Sequence, residues 1–219
     1  AHIKYGVPFD DLFNMIYDKY MGIKKDLNLE IDLEKEFKII RDLMDKDISL
    51  DYLVSRGEYL TAKCLAEYLN GQFIDASEVI AFNYNGEINF EKSEQNLISK
   101  IKNGRRIIIP GFYGALPNGT IKVMSRGGSD ISGSILANIV NADVYENWTD
   151  VSGLLIADPR IVSNPKTINY ITYSELRELS YMGANVLHDD AIFPVSQKNI
   201  PINIRNTNKP EHPGTMILN

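Results

Sequence analysis

The stretch Met124–Asp130, MSRGGSD, decides how this chain reads. Before it, Thr120–Met124 (TIKVM) alternates polar and apolar residues, the period of a strand. After it, Ile131, Ile135, Leu136, Ile139 and Val140 recur at helical spacing. The order is strand, glycine turn, helix. Gly127 and Gly128 let a backbone approach a ligand closely. Ser129 or Asp130 is the expected cap of the helix, and the free N–H groups of a helix N-terminus form an anion site. Arg126, just before the turn, can grip a carboxylate or phosphate through two parallel hydrogen bonds. An ordinary strand-to-helix turn needs neither that arginine nor two capping residues in a row.

Composition sets the bounds. A chain of 219 residues with 44% hydrophobic content can bury a proper core, as one large domain or two lobes. A net charge of −6 without a basic block argues against nucleic acid as a partner. No apolar run approaches transmembrane length and no secretory signal is visible, so no membrane partner is expected. Cys64 is the sole cysteine and cannot close an internal disulfide, which fits a reducing, cytoplasmic setting. Its expected role is that of a small buried apolar residue in a helix. The chain opens AHIKYGVPFDD, without an initiator Met, like the tail of one element running into the next; residues are expected to precede Ala1.

Outward from the glycine turn, strands and helices alternate. Phe9, Leu12, Phe13, Ile16, Tyr17 and Tyr20 fall at helical spacing, with Pro8 in the first turn and Gly22 as the expected end. A second helix is expected from Leu33 to Lys46, on the stripe Phe37, Ile40, Leu43 and Met44. A third runs from Ser55 to Leu69, entered through Ser55-Arg56-Gly57-Glu58. Glu58 in that first turn either favours the helix dipole or receives an ammonium group. Short strands are expected at Phe73–Ile74 and Val79–Phe82, a hairpin turn at Asn85-Gly86 and a helix at Ser93–Lys102. Arg105–Ile109 reads as a buried strand. The loop Pro110–Gly119 (PGFYGALPNG) after it is either a plain connection or a ligand loop beyond a strand's carboxyl end. Asp143–Val151 alternates as a strand, with Thr149 and Asp150 at its end as candidates for a ribose, a phosphate, a metal or a simple turn. Helices at Tyr173–Met182 and Ala184–Lys198 and strands at Ile200–Ile204 and Gly214–Leu218 complete an α/β chain with a parallel or mixed sheet covered on both faces.

Several familiar chemistries are missing. The chain has no G-x-x-x-x-G-K-[ST] loop, no H-E-x-x-H, no G-x-G-x-x-G and no paired cysteines for zinc. Its histidines, His2, His188 and His212, stand beside no convincing nucleophile. Phosphoryl transfer to a carboxylate fits better. A carboxylate, with an unperturbed pKa of about 4, is already an ionised nucleophile at neutral pH. The protein must then position two repelling anions and neutralise the transferring group. Glycine-turn N–H groups, arginines and an acid for Mg²⁺ serve that need; Gly127, Gly128, Ser129, Arg126, Asp130, Asp150 and Arg160 supply them.

On these residues the chain resembles the aspartokinases of the amino acid kinase superfamily. The motifs are SRGE (Ser55–Glu58), PGFYG (Pro110–Gly114), SRGGSD (Ser125–Asp130), NWTDVSG (Asn147–Gly153), ADPR (Ala157–Arg160), MGANVLH (Met182–His188) and IRNTNKPEHPGT (Ile204–Thr215), in family order. The resemblance implies a three-layer α/β/α sandwich with a mainly parallel central sheet, the carbamate kinase-like fold. Residues 1–114 would form an amino-acid lobe, with Ala1–Leu50 similar to a helical insertion, and residues 115–219 a nucleotide lobe. The implied activity is ATP-dependent conversion of L-aspartate to L-4-aspartyl phosphate, the first step toward lysine, threonine and methionine, with ATP and Mg²⁺ required. By resemblance Glu58 binds the aspartate ammonium, Arg126 a substrate carboxylate, and Gly127, Gly128 and Ser129 the substrate and phosphates. Asp130 lies near Mg²⁺ and the phosphates. Thr149, Asp150, Leu155, Arg160, Asn185 and Val186 fall at ATP positions. A homodimer is expected, as the family is commonly dimeric.

The chain departs from the family pattern in three places. The N-terminal K-F-G-G-[ST]-S motif, which supplies a strand and a phosphate-binding lysine, is not in these residues, and without it they are not expected to catalyse transfer. Asn185 stands where the family usually has Lys and brings no positive charge. Leu155 stands where an aromatic is common. Regulatory ACT domains are not expected within the 219 residues. The alternative is a kinase-like module that binds a ligand or partner without turnover, for which Asn185 and the missing lysine speak. Retention of Glu58, Arg126 and Asp130 speaks against it. Kinases of carbamate, UMP or other carboxylates fit less well, because SRGE with RGGSD favours an amino-acid substrate.

Overall fold

The computed structural model describes residues 5–44, 46, 48–102, 104–158, 161–181, 187 and 189–219. They form two compact units, Ala1–Val123 and Met124–Asn219.

The first unit begins with helices α1 (Asp10–Asp26), α2 (Leu33–Met44) and α3 (Leu50–Tyr68). Leu33, Phe37, Ile40 and Met44 make the buried stripe of α2. Phe13, Tyr17 and Tyr20 of α1 meet the Phe37 ring edge-on, with centroids 5.7, 5.2 and 5.6 Å away. Each such pair adds about 0.5–1.5 kcal/mol beyond its buried area. Leu60 and Cys64 of α3 close this core, so Cys64 is buried as expected, and burial pushes its thiol pKa up.

Two helix boundaries differ from expectation. Gly22 does not end α1; the helix continues to Asp26, and the chain turns at Asn28, at φ 52°. A glycine inside a helix costs only about 1 kcal/mol against alanine, and Met21 beside it packs on the core. Helix α3 starts earlier than Ser55, because Ser49 caps it: the Ser49 hydroxyl accepts the Tyr52 N–H at 3.1 Å. Glu58 therefore lies inside the helix, beyond the first turn in which the helix dipole acts.

Strand β1 (Gln72–Phe73) is followed by a short helix α4 (Ala76–Val79), capped by the Asp75 carboxylate, and by helix α5 (Phe90–Lys100), capped by Asn89. The strand expected at Val79–Phe82 is reduced to bridges at Ala81 and Phe82, because α4 takes its first residue. The hairpin turn forms, with the Gly86 N–H donating to the Asn83 carbonyl at 2.9 Å. Strand β2 (Ile107–Ile108) pairs parallel with β1. Strands β3 (Tyr113–Ala115) and β4 (Ile121–Val123) pair antiparallel, so half of the expected loop is a hairpin, held within the first unit.

The second unit holds α6 (Gly128–Val140), β5 (Tyr145–Thr149), β6 (Tyr170–Thr172), α7 (Tyr173–Tyr181), α8 (Asp189–Ser196), β7 (Ile202–Asn206) and β8 (Thr215–Leu218). The strands form one sheet in the order β5-β7-β8-β6. Pairs β5/β7 and β6/β8 are parallel and β7/β8 antiparallel. Ile202, Ile204 and Ile217 are completely buried, and Asn203 between the first two is buried as well. Helix α6 packs on β5 and on α8. Parallel pairing predominates and both units are α/β. Among the described residues no helix is long and apolar enough to cross a membrane.

Candidate active site

Each unit carries a group of the candidate residues. In the first unit a cleft of about 470 Å³ is lined by Tyr20, Gly57, Glu58, Thr61, Pro110 and Gly111, among others. Glu58 is exposed there and has no ion-pair partner among the described residues. Pro110 and Gly111 follow β2, so this end of the PGFYG loop does lie against a cleft beyond a strand's carboxyl end. A Cβ on Gly57 would meet no heavy atom within 4 Å, so the glycine leaves open space beside Glu58.

The turn that presents Glu58 is held from several directions. Arg56 is only 7% exposed. Its guanidinium lies 4.3 Å from the Tyr52 and Tyr59 ring centroids and 5.6 Å from that of Tyr113, and its Nη2 donates to the Ser55 hydroxyl at 3.0 Å. The Tyr113 hydroxyl donates to Asp75 at 2.9 Å, and burial pushes its pKa far up. Tyr20 donates to the Gly57 carbonyl at 2.9 Å and shares a 2.9 Å hydrogen bond with the Thr61 hydroxyl. Burial raises the Tyr20 pKa; the Thr61 hydrogen bond opposes this, and Cys64 and Glu58 add to it.

In the second unit Gly127 adopts φ 76°, the left-handed region, and stands at the N-cap of α6 with no side-chain cap bond. This corrects the expected Ser129 or Asp130 cap: the chain swings through Gly127 straight into the helix, so both residues lie in the first turn. The first helical bond runs from the Ile131 N–H to the Gly127 carbonyl at 3.0 Å. Among the described residues no side chain caps the N–H groups of that turn, and free N–H groups of this kind suit an anion. Arg126 and Ser129 are exposed, and Arg126 has no ion pair among the described residues.

Asp130 is fixed by β5. Its Oδ1 accepts from the Asn147 amide at 2.8 Å, and its backbone carbonyl accepts from the Tyr145 hydroxyl at 3.1 Å. Asn147 also donates to the Tyr145 oxygen at 3.2 Å. A Cβ on Gly133 would fall 2.7 Å from that oxygen, so the glycine makes room for the ring. Burial pushes the Tyr145 pKa up to about 12; the Asn147 hydrogen bond opposes and the Asp130 charge adds.

Thr149 ends β5, and its hydroxyl donates to Asp150 at 3.3 Å. The Thr149 carbonyl accepts from the Thr207 N–H at 2.8 Å and the Thr207 hydroxyl at 3.0 Å, tying this strand end to the chain after β7. Leu155 is 38% exposed and bridges to Thr167. Arg160, Asn185 and Val186 lie outside the described residues. Thus Arg126, Gly127, Gly128, Ser129 and Asp130 share one turn, and Asn147 links it to the strand that carries Thr149 and Asp150.

Sequence reasoning missed Tyr20, Thr61, Tyr145 and Asn147. The alternation in DVYENWTDV puts Tyr145, Asn147 and Thr149 on one face, a signal for two of them. Nothing local marks Tyr20 or Thr61. Among the described residues no three His, Cys, Asp or Glu side chains gather as a metal centre. A lone carboxylate such as Asp130 suits Mg²⁺ that arrives on phosphates, since Mg²⁺ takes one or two carboxylates and fills its shell with phosphate oxygens and water.

The model of the amino acid kinase family matches residues 12–206. Aspartokinase 3 of Bacillus subtilis is 36% identical over 222 residues, covering 95% of this chain and 49% of that protein. The solved structure of Clostridium acetobutylicum aspartate kinase is similar at TM-score 0.90 and 53% identity, over 100% of this chain and 49% of its own. That of E. coli aspartokinase III in complex with aspartate and ADP is similar at TM-score 0.84 and 26% identity, over 95% of this chain and 52% of its own. The chain thus spans about half the length of these relatives.

Proposed function

Because the chain belongs to the amino acid kinase family, we propose that it is the catalytic region of an aspartate kinase, which phosphorylates the side-chain carboxylate of L-aspartate with ATP. The observation that carries this reading is the glycine turn of the second unit, where Arg126 is exposed, Gly127 is left-handed and Asp130 is held by the Asn147 amide.

In this reading Glu58 takes the ammonium group and Arg126 a carboxylate. The first unit, Ala1–Val123, acts as the amino-acid lobe and the second, Met124–Asn219, as the nucleotide lobe; the boundary lies after β4 and not at residue 114, because β3 and β4 pair within the first unit. The uncapped N–H groups from Gly128 and the Ser129 hydroxyl receive phosphate oxygens. Thr149, Asp150, Leu155, Arg160, Asn185 and Val186 serve the nucleotide. Asp130, oriented by Asn147, would be the carboxylate that holds Mg²⁺. Mg²⁺, when bound, offsets the charge that builds on the transferring group. The substrate carboxylate is already ionised, so no base is required. One carboxylate oxygen bonds to the γ-phosphorus, the bond to the bridging oxygen breaks, and ADP leaves with the electron pair. The product is an acyl phosphate, the entry to lysine, threonine and methionine synthesis, made in the cytoplasm by a homodimer.

The test is a hydroxamate assay of the natural full-length protein with L-aspartate, ATP and Mg²⁺. Hydroxylamine traps the acyl phosphate, and aspartate-dependent colour is expected. A folded protein that binds ATP and gives no colour would overturn the reading in favour of a non-catalytic module, the role to which Asn185 in place of lysine points, or of a kinase for another carboxylate.

A further inference from the structure

Tyr20 sits on α1, far in sequence from every motif that points to phosphoryl transfer. Yet it lines the Glu58 cleft, and both of its hydrogen bonds go to α3. One reaches the Gly57 carbonyl, the residue before Glu58, and the other the Thr61 hydroxyl, one turn later. The ring itself is anchored against Phe37 in the core, at 5.6 Å. We propose that Tyr20 is a positioning residue for Glu58, and that it sets the affinity of the cleft for the ammonium group of the amino-acid substrate. The inference rests on the reading of Glu58 given above.

The physical need is specific to this turn. Gly57 has no side chain to pack, and nothing lies within 4 Å of where its Cβ would be. Glycine is also the residue whose backbone is least restrained. On the cleft side, where Gly57 offers no side chain, the hydrogen bonds of Tyr20 tie this part of α3 to the neighbouring helix. Tyr20 does so through its hydroxyl, from a ring that the core holds in place. A tyrosine hydroxyl, with an unperturbed pKa of about 10, is protonated and hence a donor throughout the neutral range, and burial raises its pKa further. Thr61 accepts or donates in turn, so the two contacts bracket Glu58 along α3.

The test is steady-state kinetics on the natural full-length protein. Tyr20→Phe keeps the ring and removes only the hydroxyl. It should raise KM for aspartate about fivefold, the worth of one or two neutral hydrogen bonds, and leave kcat and KM for ATP within about twofold. Thr61→Val should act in the same direction, and Thr61→Ser, which keeps the hydroxyl, should restore wild-type behaviour. In a Glu58→Gln background Tyr20→Phe should add nothing. An active wild type whose aspartate KM is unmoved by Tyr20→Phe, or whose two KM values rise together, would overturn the positioning role alone. A wild type that makes no aspartate-dependent hydroxamate would overturn the underlying reading as well.

Discussion

The tripeptide Ser-Arg-Gly occurs twice, at Ser55–Gly57 and at Ser125–Gly127, and the two copies have opposite fates. In the first unit it lies inside α3, with Arg56 buried among tyrosine rings and Gly57 in an ordinary helical conformation. In the second it leads into α6, with Arg126 exposed and Gly127 in the left-handed region. The same local sequence thus builds a structural arginine in one place and a candidate ligand-binding arginine in the other. The flanks decide. Ser49 caps α3 upstream of its copy, whereas a strand, β4, ends just before the other.

Substitutions at the paired positions can break this contrast. Arg126→Ala should cost aspartate use about a hundredfold or more in kcat/KM, by loss of a charged, bidentate contact, and leave the melting temperature close to wild type. Arg56→Ala should do the reverse. It removes a buried cation from three ring faces, and denaturant unfolding should show a loss of about 2–3 kcal/mol, with any kinetic loss following from the fold. If Arg56→Ala proved fully stable and inactive, the first copy would be a ligand site too.

The glycines sharpen the same contrast with smaller effects. Gly127→Ala forces an L side chain to φ 76° and should destabilise by about 1–2 kcal/mol. Gly57→Ala enters a helix with open space around it and should stabilise by about 0.5–1 kcal/mol while weakening aspartate binding. Calorimetric unfolding with and without aspartate separates the two effects. A Gly57→Ala protein that gained stability and kept its aspartate KM would show that the open space serves no ligand.

Much of the site was legible in the sequence because backbone chemistry makes it. Gly127-Gly128 between a strand and a helical stripe can do little else than turn, and an arginine on one side with Ser-Asp on the other makes it a candidate anion site. The cap assignment went astray because Ser129 and Asp130 are good capping residues, and only the left-handed Gly127 moves the helix start ahead of them. Glu58 was legible through its motif, but its place in the helix was not, since the capping residue lies upstream at Ser49. The strand expected at Val79–Phe82 lost its start to the Asp75 cap of α4, where a short apolar run is ambiguous.

By itself the sequence determined the α/β class, the glycine turn, the buried stripes and the residue types available for chemistry. Period and conformational permission are local properties, carried by neighbours in the chain. Tertiary structure alone decided which Ser-Arg-Gly is buried, that Tyr145 and Asn147 hold Asp130, and that Tyr20 and Thr61 bracket the Glu58 turn. Those contacts join residues on different elements, and no local preference for helix or strand encodes which side chains will meet when the elements pack.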